Sequence, residues 1–192
     1  MMKWLISIVI ASIIINGCTS GKSENSSMND YELSAEGAHP KARALLIEEF
    51  YWSPIDETGP FGSDDGSDAA FGFLEWREDH PSQNPKIYIN ELLEEWDYEL
   101  FDWNELDTEQ LTKLKDSMGI RLIIGQDDVL IAVGFSQFAT EGKIDEELQD
   151  LTIKAIQREL LLVILNEFDE KYRNSRRKKL EKMLLAVKKM NE

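Results

Sequence analysis

Cysteine, histidine and basic residues are scarce in this chain of 192 residues. Cys18 is the only cysteine, so no disulfide can form within the chain and stability must come from packing. The two histidines, His39 and His80, each precede a proline and lie outside metal-binding spacings such as His-Glu-x-x-His; we expect both at helix ends or in loops. We find no G-x-S-x-G nucleophile elbow and no phosphate-binding glycine loop.

Net charge is strongly negative, because 37 acidic residues face 21 basic ones, which gives −16. Nine of the basic residues follow Phe168: Lys171, Arg173, Arg176, Arg177, Lys178, Lys179, Lys182, Lys188 and Lys189. This basic end fits either a footprint for an anionic surface or a helix whose cations pair with the acidic body. We favour internal pairing, and the acidic body together with the export signal described next argues against nucleic acid as a partner.

The first 18 residues have the order of a secretory signal. Lys3 supplies a positive start, Trp4 to Ile15 is unbroken and apolar, and the small residue Gly17 precedes Cys18. The apolar block is shorter than the roughly 20 residues that span a bilayer as a helix. We therefore predict a signal peptide at residues 1–17 and no second membrane segment.

Ile15 to Cys18 resembles a bacterial lipobox, although Asn16 stands where a small residue is usual. We predict cleavage before Cys18, acyl chains on its thiol and a flexible tether over residues 18–33, which are poor in apolar side chains. The protein would then be anchored in the cell envelope, facing outside the cytoplasm. Thr19, which is not aspartate, favours the outer membrane if the cell has one.

Residues 34–190 are predicted to form one compact, mainly α-helical domain. His39-Pro40, Asn84-Pro85 and either Asp107 or Thr108 are typical of helix starts. Further helices are predicted from Ala69, capped by Ser67 or Asp68, and from about Ser175. Ile144 to Phe168 has the strongest helical pattern and is predicted to be the central, most buried helix.

One stretch allows two structures. Ile120–Gly125 and Val129–Phe135 fit a short β-hairpin around residues 126–128. Asp127 or Asp128 fits equally as the cap of a helix from Val129 to Thr140. We favour the helix because the flanking segments are helical.

The acidic loop over residues 56–68 is the clearest candidate for chemistry. An EF-hand register with Gly66 sixth puts Phe61 first and Gly72 twelfth, and neither supplies a carboxylate. We therefore expect Asp64, Asp65 and Asp68 to serve a helix start, and we predict no metal and no cofactor beyond the lipid. Asp56 and Glu57 also fit a paired-carboxylate hydrolytic site.

Aromatic residues cluster in the first half of the chain among acids. Most suit a core, whereas Phe61 and Trp103 lie in predicted loops and are candidates for an interaction surface. The predicted binding loop comprises Trp52, Asp56, Glu57, Phe61, Asp64, Asp65, Asp68 and Trp103. We predict a protein-binding module rather than an enzyme; the alternatives are a carboxylate- or metal-dependent hydrolase on the same loop and a structural envelope component.

A family resemblance covers the predicted domain. Residues 38–42, 48–57 and 59–66, and more weakly 126–128 and 141–145, resemble the uncharacterised bacterial YfeS-like proteins. That resemblance implies no assigned activity and no catalytic residue, and YfeS-like proteins are usually cytosolic, without the signal seen here. The run Gly59-Pro60-Phe61 followed by Asp64, Asp65 and Asp68 is similar to a pattern in small immunity factors against polymorphic toxins, which implies an immunity-like role.

Overall fold

Polar side chains set the helix starts in the computed structural model, which describes residues 33–192. Helix α1 (Pro40–Leu45) begins where the His39 ring accepts the Lys41 N–H at 3.2 Å. Asn84 Oδ1 accepts the Lys86 N–H at 2.9 Å at the start of α3 (Pro85–Glu95). Asp107 does the same for α4 (Thr108–Met118). These three predicted starts are confirmed, and their caps satisfy backbone donors that a helix leaves unpaired.

Helix α2 (Asp64–Asp79) begins about one turn earlier than predicted. The cap is Ser63, whose Oγ accepts the Gly66 N–H at 3.1 Å, and not Ser67 or Asp68. Asp64 and Asp65 consequently lie in the first turn, where their charge suits the helix dipole. A short 3₁₀ turn, Glu49–Tyr51, lies in the segment between α1 and α2.

Helix α5 (Ile120–Glu141) is a single helix of 22 residues. The hairpin was wrong, because no strand forms in the described residues. The favoured helix is confirmed over residues 129–140, although it starts earlier than predicted, at Ile120. Asp127 and Asp128 are therefore not caps but buried residues in its middle. The physical reason is the apolar character of all its faces, which favours a helix surrounded by other helices.

The central helix is α5, and the prediction that residues 144–168 supply it was wrong. α5 packs against α2 and α6 (Glu146–Glu159), and also against α1, α3 and α4. Gly134 makes the approach to α6 possible, because a Cβ there would collide with Thr152. The 144–168 run breaks at Leu161, whose ψ of 141° is extended, and resumes as the short α7 (Leu162–Leu165).

Helix α5 is also long and apolar enough to cross a membrane, and it is the one such helix in the part of the chain that is described. However, 89% of its most apolar window is buried against the rest of the domain. The last long helix, α8 (Glu170–Val187), is capped by Asp169 and packs on α6. Its start precedes the predicted one at Ser175. The mainly helical fold class is confirmed, while the predicted signal, Cys18 and nearly all of the tether lie outside the described residues.

A buried ion cluster and the groove beside α8

Five charged side chains from α5, α6 and α8 meet inside the domain. We call Asp127, Asp128, Arg158, Glu159 and Arg176 the buried ion cluster. Arg158 Nε donates to both carboxylate oxygens of Asp127, at 3.1 and 3.0 Å, and both side chains are fully buried. The pair joins α6 to the middle of α5.

Arg158 also fixes the connector between α3 and α4. Its Nη1 donates to the carbonyl oxygens of Trp103 and Glu105 at 2.8 and 3.0 Å. The guanidinium lies over the Phe101 ring, 4.8 Å from its centre. Since the planar guanidinium offers five donors, one side chain can hold two helices and a loop in register.

Arg176 connects α8 to the rest of the domain in a similar way. Its Nε and Nη2 donate to the two oxygens of Glu159 at 2.7 and 2.5 Å, and Nη2 also reaches Asp128 Oδ1 at 2.6 Å. Nη1 donates to the Gly59 carbonyl at 3.3 Å. Arg176 therefore links α5, α6 and α8 to the segment that precedes α2.

The buried ion cluster has three carboxyl groups for two guanidinium groups, so it would carry an excess negative charge if every acid were ionised. Burial raises the pKa of Asp128 to about 7, against the attraction of Arg176 and with the repulsion of Glu159. Burial likewise raises the pKa of Asp127 to about 6 and the pKa of Glu159. Near neutral pH, one proton in the cluster compensates for the excess charge.

An open groove of about 910 Å³ runs between residues 48–58 and α8. We call it the α8 groove. One side carries Phe50, Ile55 and four acidic residues, Glu48, Glu49, Asp56 and Glu57. The other side carries Asp169, Tyr172 and two lysines of α8, Lys171 and Lys179. Ile55 projects from the rim with 87% of its surface exposed. The groove thus offers apolar, acidic and basic side chains on one concave surface.

Direct contacts hold the two sides of the α8 groove together. Asp56 forms an ion pair with Lys179, and Lys179 Nζ also donates to Thr58 Oγ1 at 2.6 Å. Thr58 Oγ1 lies 3.2 Å from Ser175 Oγ, and the Tyr172 hydroxyl donates to the Glu57 carbonyl at 3.2 Å. Hydrogen bonds from Lys179 and Thr58 outweigh desolvation, so the pKa of Asp56 is lowered.

Adjoining the groove is a smaller recess of about 230 Å³. Asp65 lies there in an ion pair with Arg121, and the Tyr98 hydroxyl donates to it at 3.2 Å. Glu57, Asp64, Tyr172 and the edge of Asp128 line the same recess. The first turn of α2 and the buried ion cluster therefore meet at this point.

The predicted binding loop is only partly brought together. Asp56 and Glu57 line the α8 groove, and Glu57, Asp64 and Asp65 line the recess. Asp68 is exposed farther along α2 and lines neither. Trp52 is half-buried, with its indole N–H donating to the Leu46 carbonyl at 2.9 Å.

Phe61 and Trp103, the proposed aromatic anchors, do not form an exposed surface. They are only 4% and 7% exposed and belong to the hydrophobic core. The Trp103 indole N–H donates to Gln126 Oε1 of α5 at 2.9 Å. The expectation of an interaction surface at these residues is corrected, because the segments that carry them fold back onto α5.

Internal pairing of the basic end is confirmed for three residues. Arg176 pairs with Glu159 and Asp128, Lys179 with Asp56, and Lys182 with Glu48.

Both histidines lie at helix ends, as expected: His39 caps α1, and His80 ends α2.

Within residues 33–192 there is no group of three His, Cys, Asp or Glu side chains that could hold a metal ion.

The YfeS-like and immunity-like resemblances stay predictions, because no protein-family model, no curated protein and no solved structure matches this chain.

Proposed function

We propose that the protein is a membrane-anchored lipoprotein whose α8 groove binds a segment of a partner protein. The observation that carries this proposal is the groove itself, a concavity of about 910 Å³ that combines an exposed isoleucine, the half-buried ring of Tyr172 and charges of both signs. Its apolar, acidic and basic groups match the variety of side chains on a polypeptide.

The groove is a better binding site than the loop surface expected from the sequence. Phe61 and Trp103 lie in the core and line no part of the groove, whereas the half-buried Tyr172 lines the groove and Ile55 projects from its rim. The buried ion cluster supports both sides, because Arg176 holds α8 and also bonds to Gly59. A groove held in this way is preformed, which lowers the entropy cost of binding.

The hydrolase alternative receives less support from the same residues. Asp56 is engaged by Lys179 in the α8 groove, and Asp65 is engaged by Arg121 in the neighbouring recess. Each of these two carboxylates therefore serves an ion pair, one in the α8 groove and the other in the recess. Asp56 and Glu57, the predicted carboxylate pair, both line the α8 groove, but the pairing with Lys179 leaves only Glu57 without a cation among the described residues. A paired-carboxylate site needs its two acids on opposite sides of one substrate bond.

Ile55→Asp tests the groove. An aspartate at this exposed position should leave the fold intact but place an extra charge at the apolar rim. We expect capture of the partner, measured by crosslinking and pull-down from intact membranes, to fall about tenfold, which corresponds to about 1.4 kcal/mol. Leu162→Asp is the matched control, since Leu162 is also exposed but lies on α7, outside the groove.

Capture that falls equally in both variants, or in neither, would refute binding in the α8 groove. The absence of any captured protein would instead favour the structural envelope component. Thermal unfolding of both variants shows whether the comparison is between folded proteins.

The membrane anchor is tested separately at Cys18. We expect the mature protein to start at Cys18 and to carry the mass of acyl chains, and Cys18→Ser to abolish both the added mass and the cleavage. An unmodified chain that retains Met1 would contradict the lipoprotein assignment. The measurement is intact-protein mass spectrometry of the membrane fraction.

A further inference from the structure

Four lysines of α8 line one recess at the end of the α8 groove. Lys171, Lys178, Lys179 and Lys182 surround a volume of about 480 Å³, and we call them the lysine wall. Asn174 and Ser175 lie between them, and Phe50 and Glu48 complete the lining. Spacings of seven, eight and eleven residues bring the lysines to one face of an α-helix.

The lysine wall has more positive charge than its neighbours neutralise. Lys179 pairs with Asp56 and Lys182 with Glu48, whereas Lys171 and Lys178 form no ion pair with any residue that the structure describes. Two positive charges are therefore left over on this face of a chain whose net charge is −16. An excess of this sign in a concave recess favours an anionic ligand.

Phe50 keeps the paired ammonium groups inside the recess. Its ring centre lies 5.6 Å from Lys179 Nζ and 5.9 Å from Lys182 Nζ, within the range of a cation–π contact. Asn174 and Ser175 add neutral polar groups to the same lining. The recess can thus hold an anion with charged and neutral donors together.

The distance between the two unpaired lysines indicates the kind of anion. Lys171 and Lys178 are seven residues apart, which is about 10 Å along the helix axis at 1.5 Å per residue. A polypeptide segment with several acidic side chains can contact the two lysines in turn along this length. The concave shape, with Glu48 in its lining, is also a poor match for a flat anionic membrane.

We infer that the lysine wall binds acidic side chains of the partner segment that occupies the α8 groove. This inference rests on the proposed function and adds the chemistry of the partner at one end of the site. Glu57 lines the other part of the α8 groove and forms no ion pair with a described residue, so it repels the same side chains and gives the segment a preferred direction in the groove.

The test uses the full-length chain in nonionic detergent micelles and a fluorescein-labelled peptide of eight glutamates. Fluorescence anisotropy measures binding by the wild type, by the double variant Lys171→Gln, Lys178→Gln and by the control Lys188→Gln, Lys189→Gln. Both variants remove two positive charges from the same end of the chain, but Lys188 and Lys189 lie outside the recess. We expect about tenfold weaker binding for the first variant and a change below about twofold for the control.

Two results would overturn the inference: no peptide binding by the wild type, or equal weakening in the two variants. Micelles containing phosphatidylglycerol test the membrane alternative, and loss of peptide binding in them would assign the lysine wall to lipid headgroups. If the peptide fails to bind while partner capture still depends on Ile55, the inference fails and the proposed function stands. If capture is also independent of Ile55, both fail.

Discussion

Arg176→Met should lower the free energy of unfolding by about 3–5 kcal/mol, the usual cost of removing one partner from a buried ion pair. Methionine keeps much of the volume but leaves Asp128 and Glu159 without their common cation. The bond to the Gly59 carbonyl is also lost, so the segment before α2 loosens together with α8. Urea unfolding followed by circular dichroism measures the change.

Arg173→Met is the matched control for this result. Arg173 lies one turn earlier on α8, is half-buried and bonds to Asn166 Oδ1 at 3.0 Å, without a buried acid to neutralise. Its loss should cost less than about 1 kcal/mol, as for other partly exposed polar contacts. Comparable costs for the two variants would show that the buried ion cluster does not organise the domain.

Asp128→Asn should have the opposite effect at alkaline pH. The folded protein retains a proton near Asp128 up to a pKa of about 7, whereas an unfolded aspartate loses it near pH 3.9. Between these values the folded state binds more protons, so the stability of the wild type falls as pH rises through this window. Asparagine leaves two carboxyl groups for two guanidinium groups and removes this loss.

We therefore expect Asp128→Asn to gain on the wild type by roughly 2 kcal/mol between pH 5 and pH 8, which is less than the full pKa shift corresponds to because this window covers only part of the interval between the two pKa values. Asp128 offers only Oδ1 to Arg176, so the asparagine oxygen can replace it. Asp127 instead gives both oxygens to Arg158, so Asp127→Asn should destabilise the protein at pH 8, where the Asp127 carboxyl is ionised. If the difference in the free energy of unfolding between the wild type and Asp128→Asn were the same at pH 5 and pH 8, it would contradict an excess of one carboxyl group in the buried ion cluster.

Local sequence patterns predicted correctly those helix starts that are set by a side chain close by in the sequence. His39-Pro40, Asn84-Pro85 and Asp107 act within three residues of themselves, and all three caps form as expected. The start of α2 was placed too late because Ser63 lies in a run rich in glycine and aspartate, which is typical of a loop. The helix extends through that run because Ser63 caps it and Gly66 packs in the interior.

The buried ion cluster was not predicted, because its pairs are far apart in the chain. Asp127 and Arg158 are separated by 31 residues, and Asp128 and Arg176 by 48. Two adjacent aspartates that closely follow Gly125 favour a turn or a cap in any local interpretation. The sequence did contain one signal: apolar residues flank Asp127 and Asp128 on both sides. Acidic residues inside such an apolar stretch indicate burial next to side chains of opposite charge.

The candidate site was half predicted for a similar reason. Asp56 and Glu57 were identified from their position beside aromatic residues, and the pairing of the basic end with the acidic body was expected from charge alone. That α8 faces the Glu48–Thr58 segment depends on the packing of α8 against α6, which no local pattern specifies. The same limitation explains why Phe61 and Trp103 were expected at the surface.

Photo-crosslinking from a single position in intact cells tests most directly whether a partner protein binds in the α8 groove. A benzoylphenylalanine at position 55 places the reactive group at the rim of the α8 groove, and the same residue at position 162 places it on α7 as a control. We expect one discrete protein adduct from position 55 and none of that mass from position 162. No adduct from position 55, or the same adduct from both, would contradict binding of a partner in the α8 groove.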